Sequence, residues 1–210
     1  MARSRGARVM EQAWLGFGPQ KHFGVQHATH DWVLCVDADE RVSDPLRTSI
    51  LAALSAPVAP VARVYTMARC NRFLGRWLRH GEGYPDWSLR LFHRGAARWS
   101  DDPVHEKVLT KEPVIRLSGD LLHESAESLD HYLDKQNHYT SLQARRMFAE
   151  GRTVTTLHLI LAPIARFVKF YLLRLGCLDG LPGLIHICIG CMNSFNKYAK
   201  LLALQKAPAQ

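Results

Sequence analysis

The stretch WVLCVDADE, residues 32–40, places an apolar run of strand length directly before two carboxylates. A continuous hydrophobic run of this length is typical of a buried parallel strand. Side chains at positions i and i+2 of a strand project to the same side, so the sequence predicts that Asp37 and Asp39 converge at the carboxyl end of a sheet strand. Ligands of open α/β sheets bind at that edge. The stretch therefore predicts an α/β fold with a binding site beside the two aspartates.

The chemistry of the two aspartates has two interpretations. Paired carboxylates at a sheet edge can hold Mg²⁺ or Mn²⁺ while leaving coordination positions for the phosphates of a substrate. Alternatively, the strand simply runs into a turn, and Asp39 or Ser43 caps the helix that follows. The residues alone leave both interpretations open.

Composition and charge narrow the possible partners. The 210 residues are enough to bury one sizeable core. Lys and Arg number 27 against 19 Asp and Glu, which gives a formal net charge of +8. A basic balance suits a nucleotide substrate, an anionic membrane surface or nucleic acid. Because no recognised nucleic-acid motif accompanies the charge, we expect no nucleic-acid partner.

The cysteines indicate a reducing compartment. There are five, an odd number, and most lie in apolar surroundings. The pair Cys188-x-x-Cys191 has no second pair to complete a zinc site, so we interpret it as part of a buried apolar segment. The chain is therefore expected to be cytosolic.

Local patterns predict alternating strands and helices. A strand at 7–10, a glycine-rich loop at 14–19 and a helix at 20–28 precede the strand at 32–36, as in the parallel unit of an α/β fold. Pro45 is typical of the first turn of a helix. The further predictions are a helix at 45–54, strands at 61–67 and 88–92, and a helix at 129–149.

The character of the sequence changes after Val154. Two apolar stretches, 156–175 and 183–195, are interrupted or followed by basic residues. Neither reaches the roughly 20 consecutive apolar residues that favour a spanning helix, and both are typical of amphipathic helices that lie on a membrane. The alternative is a helical pair packed against the domain. We predict a catalytic domain at 1–150 and a helical, membrane-associated segment at 151–210.

A second polar cluster, RWSDDPVHE at residues 98–106, concentrates carboxylates, an imidazole and an aromatic ring. A carboxylate held near a metal–diphosphate site can take the proton from an attacking hydroxyl. Glu106 and Asp102 are the candidates for that role. The alternative is ordinary turn chemistry, because acidic residues commonly precede a proline in turns.

The motifs together resemble a known family. In chain order, GFGPQK, DWVLCVDADERVS, NRFLGRWLRHG, YPDWSLRLF, WSDDPVHE, LLHES and DKQNHYT resemble the inverting family 2 glycosyltransferases of lipopolysaccharide core assembly. The resemblance runs from about residue 6 to residue 201 and is strongest to the branch that adds β-1,4-linked glucose to inner-core heptose. It implies a GT-A fold with a mixed sheet and C-terminal amphipathic helices. It also implies a UDP-sugar donor, a lipid-linked oligosaccharide acceptor and a peripheral position on the cytoplasmic face of the inner membrane.

The resemblance also implies roles for individual residues. A divalent cation, Mn²⁺ or Mg²⁺, would bridge the donor diphosphate to Asp37 and Asp39 and stabilise the departing group. Glu106 would be the base for a single in-line displacement, with Asp102 in reserve. His105 and His123 are candidates for holding metal or phosphate, and Lys21 and Arg90 for contacting the diphosphate. Trp87 and Trp99 would either stack on sugar rings or pack in the core. Four arginines would either contact acceptor phosphates or form a solvated face: Arg69, Arg72, Arg76 and Arg79.

One departure from the family concerns the amino terminus. Members normally begin with a further strand-helix-strand segment that grips the uridine, and this sequence begins at what resembles the third strand. We therefore expect an N-terminally truncated sheet with weakened donor binding. Two other functions remain open at this stage: a non-catalytic remnant or membrane-binding module that keeps only the acceptor half, and a metal-dependent phosphohydrolase that uses the same aspartates.

Overall fold

The computed structural model describes residues 2–55, 62–102, 106–124 and 128–206. The helices are α1 (Phe17–Gln26), α2 (Asp44–Leu54), α3 (Leu129–Ala149), α4 (Thr156–Phe167) and α5 (Gly180–Lys206), with a π-helical segment at Val168–Leu173 and short 3₁₀ turns at Arg3–Arg5 and Gly176–Asp179. The strands are β1 (Trp32–Leu34), β2 (Glu40–Val42), β3 (Val64–Phe73), β4 (Arg76–Trp77), β5 (Asp86–His93), β6 (Ala97–Trp99), β7 (Val108–Thr110) and β8 (Val114–His123).

The strands form one larger sheet and one separate pair. Strand neighbours in the larger sheet follow the order β1-β5-β3-β8-β2, with β4 paired to β3, and β6 pairs with β7. The prediction of a mixed α/β architecture is confirmed, and the arrangement is consistent with a GT-A-like, Rossmann-type fold.

The strand predicted at 32–36 is present in part, but the prediction that it is a buried parallel strand is wrong. β1 is three residues long and pairs antiparallel with β5, with Val33 opposite Phe92. It ends the strand order, and Leu34 is exposed. An apolar run indicates burial and does not encode strand direction, so the sequence could not distinguish a central parallel strand from this edge strand.

The other local predictions vary in accuracy. The bounds of α3 agree with the predicted 129–149, and α2 begins one residue before the predicted helix. Residues 7–10 form no strand and are exposed, so the predicted parallel strand-loop-helix-strand unit is wrong. α1 begins at Phe17, inside the predicted loop.

The chain divides into two compact units, of which the first comprises Met1–Val36, Thr48–Met67 and Ser88–Leu117. Its core contains Val25, Val64, Phe92 and Trp99. α1 lies close to the segment after β6, because a Cβ on Gly18 would come within 2.0 Å of the backbone oxygen of Ser100. Only glycine permits this approach, which places the next turn of α1 beside Trp99.

The second unit comprises Asp37–Arg47, Ala68–Trp87 and Ser118–Gln210. Within it, β2 pairs antiparallel with β8, with Glu40 opposite His123. The start of α2 packs on β8 at Gly119, whose φ is +93° and whose added Cβ would lie 2.3 Å from the Leu46 nitrogen. Ser43 Oγ accepts hydrogen bonds from the backbone nitrogens of Leu46 at 3.4 Å and Asp120 at 3.1 Å. Ser43 is therefore the cap that the second interpretation of this segment predicted.

The C-terminal helices pack within the second unit through a mixed interface. Ala144, Val154 and Leu201 form a buried apolar cluster. Lys200 Nζ donates to Thr140 Oγ1 and Ser141 Oγ, both at 2.8 Å, and therefore ties α5 to α3. Part of this region is packed against its own unit, as the helical-pair alternative predicted. The domain boundary at residue 150 stays a prediction.

One face of the C-terminal region is apolar and exposed. Between Thr156 and Leu173 the chain forms an 18-residue helical stretch with a mean hydropathy of 1.5, none of it buried, and it meets the length and composition of a membrane span. Its exposed apolar side chains recur at three- and four-residue spacing, as on one side of an amphipathic helix. We call this set the apolar stripe: Leu157, Ile160, Leu161, Ile164, Val168 and Leu172.

Candidate active site

The predicted metal ligands Asp39 and His123 lie side by side in the second unit. Asp39 Oδ2 is 3.1 Å from His123 Nε2. The β2–β8 ladder produces this contact, because Asp39 directly precedes β2 and His123 is the last residue of β8. The backbone nitrogen of Glu124 donates to the carbonyl oxygen of Asp39 at 2.9 Å and extends the ladder by one bond.

The second ring nitrogen of His123 has a partner that the sequence did not indicate. His123 Nδ1 is 2.8 Å from Asn71 Oδ1. An amide oxygen accepts a hydrogen bond, so Nδ1 carries the proton and donates it. With Nδ1 directed to Asn71, Nε2 faces the Asp39 carboxylate, and a shared cation or proton would stabilise that contact. Histidine ligands of metal ions are commonly oriented by an outer partner of this kind.

Asp37 lies in a separate turn. Its backbone nitrogen donates to Glu40 Oε2 at 2.9 Å, and the Glu40 nitrogen donates to the Asp37 carbonyl at 3.0 Å. Residues 35–39 are not in a strand, so the expectation that strand geometry makes the two aspartates converge is wrong. The Glu40 side chain is fully buried and lies 3.9 Å from Arg69, which fixes the turn.

Asp39 and His123 supply two donors suited to a divalent cation, a carboxylate oxygen and an imidazole nitrogen. Within the described residues, no group of three or more His, Cys, Asp and Glu side chains is placed to hold a metal ion. A cation at this pair would take its remaining ligands from substrate or water, as Mg²⁺ commonly does. His105, the other predicted histidine ligand, lies outside the described residues.

A cavity of about 700 Å³ in the second unit opens beside the pair. Asp39 and His123 line it together with Asn71. Its volume is in the range of small-molecule sites. Arg72 and Glu124, which form an ion pair, contribute a further donor and acceptor to its lining.

Three rings form an aromatic wall in this cavity, and we use that name for Phe73, Tyr132 and His186. The Phe73 ring centroid lies 5.5 Å from that of Tyr132 and 5.3 Å from that of His186. Burial and the charge of Arg166 lower the pKa of His186 below its usual range. The wall therefore presents apolar ring faces and an imidazole whose charged form is disfavoured by burial.

A different cluster occupies the first unit around Glu106. Lys21 Nζ is 3.1 Å from Glu106 Oε1, and both side chains are about four-fifths buried. The same ammonium lies 4.8 Å from the centre of the Trp99 ring. Lys21 therefore pairs with the predicted base. Its predicted contact with the diphosphate stays a prediction.

Trp99 and Arg90 complete this cluster in the first unit. Trp99 is 3% exposed and belongs to the core, as one of its two interpretations predicted. The Arg90 guanidinium lies 5.5 Å from the Trp99 ring centre, and Trp99 Nε1 donates to Cys35 Sγ at 3.5 Å. The roles of Arg90 in binding diphosphate and of Trp99 in stacking on a sugar stay predictions.

The remaining predicted residues are exposed. Asp102 lies in an irregular segment after β6. Trp87 lies on β5 with two-fifths of its surface exposed. Their roles as reserve base and sugar-stacking residue stay predictions.

The four arginines of the basic stretch all have partners in the second unit. Arg69 pairs with Asp86 at 2.7 Å, Arg79 pairs with Asp120 at 2.8 Å, and Arg76 donates to the carbonyl of Leu178 at 2.9 Å. Arg72 pairs with Glu124. Each of the four arginines therefore joins neighbouring segments of the second unit, and their predicted contact with acceptor phosphates stays a prediction.

Burial also shifts two groups near Asp120. Tyr84 donates to Asp120 Oδ1 at 2.8 Å, and burial with this carboxylate raises the pKa of Tyr84 to about 12. Burial raises the pKa of the Cys70 thiol to about 11. A raised thiol pKa disfavours the reactive thiolate, so Cys70 is expected to be unreactive. The interpretation of Cys188-x-x-Cys191 as part of a buried segment is wrong for Cys188, which is exposed because it lies on the outer side of α5, and Cys191 is half-buried.

Sequence reasoning missed Asn71 and the aromatic wall. Asn71 is 52 positions away from His123 in the chain. The two meet through strands that are neighbours in the sheet, β3 and β8. No local spacing signals such a contact. Tyr132 and His186 come from two helices whose patterns indicate only packing.

Comparison with known proteins relates the chain to glycosyltransferases. No protein-family model matches the chain. It is 28% identical to the lipopolysaccharide core biosynthesis glycosyltransferase LpsC of Rhizobium meliloti, over 92% of this chain and 72% of that protein. It is 25% identical to uncharacterized glycosyltransferases of Rickettsia prowazekii, over 96% of this chain and 72% of that protein, and of Rickettsia typhi, over 97% and 73%. These similarities support a glycosyltransferase family for the chain.

Proposed function

We propose that this protein is an inverting glycosyltransferase of lipopolysaccharide core assembly. It transfers a hexose, glucose in our proposal, from a UDP-sugar to an inner-core heptose. The observation that carries the proposal is the Asp39–His123 pair beside a cavity of sugar-binding size. The similarity to LpsC, whose name states a role in lipopolysaccharide core biosynthesis, supports the choice of pathway.

Inverting transfer is one displacement. A lone pair of the acceptor hydroxyl oxygen forms the new bond to the anomeric carbon as the bond to the donor phosphate breaks. The hydroxyl proton goes to a carboxylate, a role that we assign to Glu106 with Asp102 in reserve. The electron pair of the broken bond leaves with the nucleoside diphosphate.

Asp39 and His123 are the residues that would hold a divalent cation, and the part of Asp37 in that site stays a prediction. Asn71 fixes the imidazole so that Nε2 faces Asp39. The donor types fit Mn²⁺ or Mg²⁺. When bound, the cation supplies charge stabilisation to the departing diphosphate.

Calorimetric titration of UDP into the purified chain, with and without Mn²⁺, tests the proposal. Manganese-dependent binding is the expected result. A folded sample that binds no UDP in either condition would overturn the proposal for this polypeptide and favour the non-catalytic alternative. Phosphate release from phosphate esters without a sugar acceptor would favour the phosphohydrolase instead.

We further propose that the apolar stripe lies on the cytoplasmic face of the inner membrane. Six large apolar side chains of one helical stretch are each at least 40% exposed. Lys169 and Arg174, both exposed, belong to the same region and carry the charge that attracts anionic lipid headgroups. A lipid-linked acceptor would be reached at that surface.

Flotation with liposomes that contain anionic phospholipid tests this placement. Replacing Ile160 and Ile164 with Ser removes two exposed apolar side chains and should lower membrane binding by about tenfold or more. A matched control replaces Leu51 and Leu54 of α2, which are also exposed. Equal loss in both variants, or none in the stripe variant, would contradict the proposal.

A further inference from the structure

We infer that a small polar cavity between α3, α4 and α5 binds a phosphate group. The cavity has a volume of about 120 Å³ and lies within the second unit. We call it the polar pocket, and its lining includes Gln136, Tyr139, Gln143, Arg166, Asn193 and Lys197. It shares no lining residue with the cavity beside Asp39 and His123. Phosphate binding there is therefore independent of the proposed function.

The lining of the polar pocket is polar throughout. Three amides, three hydroxyls, one guanidinium and one ammonium group make up its side chains, and no described carboxylate belongs to it. Such a lining supplies many N–H and O–H donors without negative charge, which suits the oxygens of a phosphate. The volume corresponds to about four molecules of liquid water. It therefore suits a single phosphate group and is too small for a sugar or a nucleotide.

Arg166 is held in place before a ligand arrives. Its Nε donates to Glu82 Oε2 at 3.0 Å, its Nη2 pairs with the other Glu82 oxygen, and its Nη1 donates to Ser194 Oγ at 3.1 Å. The pair lies close against α5 because residue 190 is glycine, where a Cβ would come within 2.4 Å of Glu82 Oε2. A guanidinium carries five N–H groups, so two remain for a ligand within the described part of the chain. Binding to a side chain that is already fixed costs little conformational entropy.

Lys197 supplies a charge that no described carboxylate balances. Glu82 neutralises Arg166. The Lys197 ammonium instead lies 4.4 Å from the centre of the Tyr198 ring and forms no ion pair with a described residue. The polar pocket therefore carries one net positive charge, which favours an anion over a neutral ligand.

Two further lining side chains lack partners in the described protein. The Tyr139 hydroxyl and the Gln143 amide form no hydrogen bond with any described residue. By contrast, Asn193 Nδ2 donates to Gln136 Oε1 at 2.8 Å and joins α5 to α3 at the lining. Hydroxyl and amide groups both donate hydrogen bonds. A phosphate in the polar pocket would provide acceptors for Tyr139 and Gln143.

The position of α4 favours a phospholipid headgroup as the source of the phosphate. Arg166 is two residues from both Ile164 and Val168 of the apolar stripe, which is about 200° around a helix. An interfacial helix buries its apolar face by about 5–10 Å, and a helix is about 10 Å across, so its far side lies near the depth of the headgroup phosphates. This source rests on the membrane placement proposed above. Free phosphate presents the same chemistry and is distinguished by experiment.

Phosphorus NMR of inorganic phosphate, titrated into the full chain, tests the site. Chloride keeps the ionic strength constant, and EDTA removes any divalent cation that could hold phosphate elsewhere. The wild-type chain should broaden the phosphate signal in a saturable way. Lys197→Gln should weaken binding by about tenfold or more, because it removes a charge-assisted contact. Tyr139→Phe, which removes only a hydroxyl, should weaken it by about threefold.

Two variants separate ligand contact from folding. Lys197→Arg keeps a cation at the polar pocket and should retain phosphate binding. Lys206→Gln makes the same change of charge at an exposed position of the same helix, outside the lining, and should leave binding unchanged. Unchanged binding in Lys197→Gln, or an equal loss in Lys206→Gln, would overturn the inference. Equal binding of acetate and phosphate would overturn the choice of phosphate as the ligand.

A soluble short-chain lipid identifies the source. Dihexanoyl phosphatidylglycerol, used below the concentration at which it forms micelles, presents a phosphate diester to the same samples. Binding that is tighter than that of inorganic phosphate and is lost in Lys197→Gln would support a lipid headgroup as the occupant. Tighter binding of inorganic phosphate would support the site but overturn the headgroup as its source.

Titration of UDP with Mn²⁺ into the same samples distinguishes this site from the proposed donor site. Lys197→Gln should leave the UDP affinity unchanged. No saturable phosphate binding by a sample that binds UDP would overturn the inference and leave the proposed function standing. Phosphate binding without UDP binding would support the polar pocket and contradict the transferase. An equal loss of phosphate and UDP affinity in Lys197→Gln would indicate one shared site and would also overturn the inference.

Discussion

Glu106 in the first unit and Asp39 in the second are both carboxylates that the sequence predicted to do chemistry, yet their surroundings differ. The Glu106 side chain is 20% exposed and pairs with the ammonium group of Lys21. The Asp39 side chain is 47% exposed and contacts the His123 imidazole, a side-chain type that commonly binds metal ions. The first carboxylate is fixed in a closed ion pair, whereas the second faces a cavity. Motif composition alone does not reveal this difference.

Replacing Asp39 should have the largest effect on function. Asp39→Ala removes the carboxylate oxygen of the proposed cation site, and we expect Mn²⁺-dependent UDP affinity to fall by about 10²–10³-fold, because metal stabilisation of charge is worth several kcal/mol. Calorimetry measures the loss. Asp134→Ala, an exposed carboxylate on α3, is the control. Unchanged affinity in Asp39→Ala would remove Asp39 from the cation site and weaken the contrast with Glu106.

Glu106→Gln tests whether the carboxylate of the first unit acts in sugar transfer and not in UDP binding. The amide keeps the shape of the side chain but accepts no proton, so transfer should slow by about 10²-fold while UDP affinity stays the same. Single-turnover transfer and UDP titration on the same sample measure the two quantities. Near-normal turnover would move the role of base to Asp102, which Asp102→Asn would then test.

The sequence predicted the elements of this fold better than their pairing. α3 has the predicted bounds because Ser128 caps its first turn, where Ser128 Oγ accepts from the His131 nitrogen at 3.2 Å. The antiparallel pairing of β1 was not predictable, because an apolar run fits a strand of either direction. Cap chemistry is local, whereas strand direction depends on which distant segment lies beside the strand.

The candidate site also combines residues that local sequence patterns indicate with contacts between distant segments that they do not. Asp39 was predicted from its position after an apolar run, and His123 from the family resemblance. Asn71 was not predicted, because its contact with His123 exists only once β3 and β8 lie side by side. The pairing of Lys21 with Glu106 spans 85 positions and was equally hidden. Residue type indicates a candidate, and tertiary contacts decide its chemical state.

Asn71→Leu should weaken metal binding in the second unit, with an effect smaller than that of Asp39→Ala. Loss of the amide oxygen frees the imidazole to adopt either tautomer, and such outer partners are worth about 10–100-fold in metal affinity. Mn²⁺ titration followed by electron paramagnetic resonance measures the change without any substrate. Asn71→Asp, which keeps an acceptor for Nδ1–H, should retain affinity. Equal losses in both variants would indicate a packing defect instead of a lost hydrogen bond.

The smallest expected effect is on the stability of the first unit. Lys21→Met removes the partner of Glu106 and should lower the free energy of unfolding by roughly 1 kcal/mol, because the pair keeps about a fifth of its surface in water and is partly screened. A double-mutant cycle with Glu106→Gln isolates the coupling between the two side chains. That coupling should be the same with and without Mn²⁺. A cycle on Asp39 and His123 should instead change when Mn²⁺ is added, because a cation bound between them replaces their direct contact. If Mn²⁺ changes the coupling energies of both pairs, metal binding also affects the Lys21–Glu106 pair. The proposed difference between the two carboxylates would then be wrong.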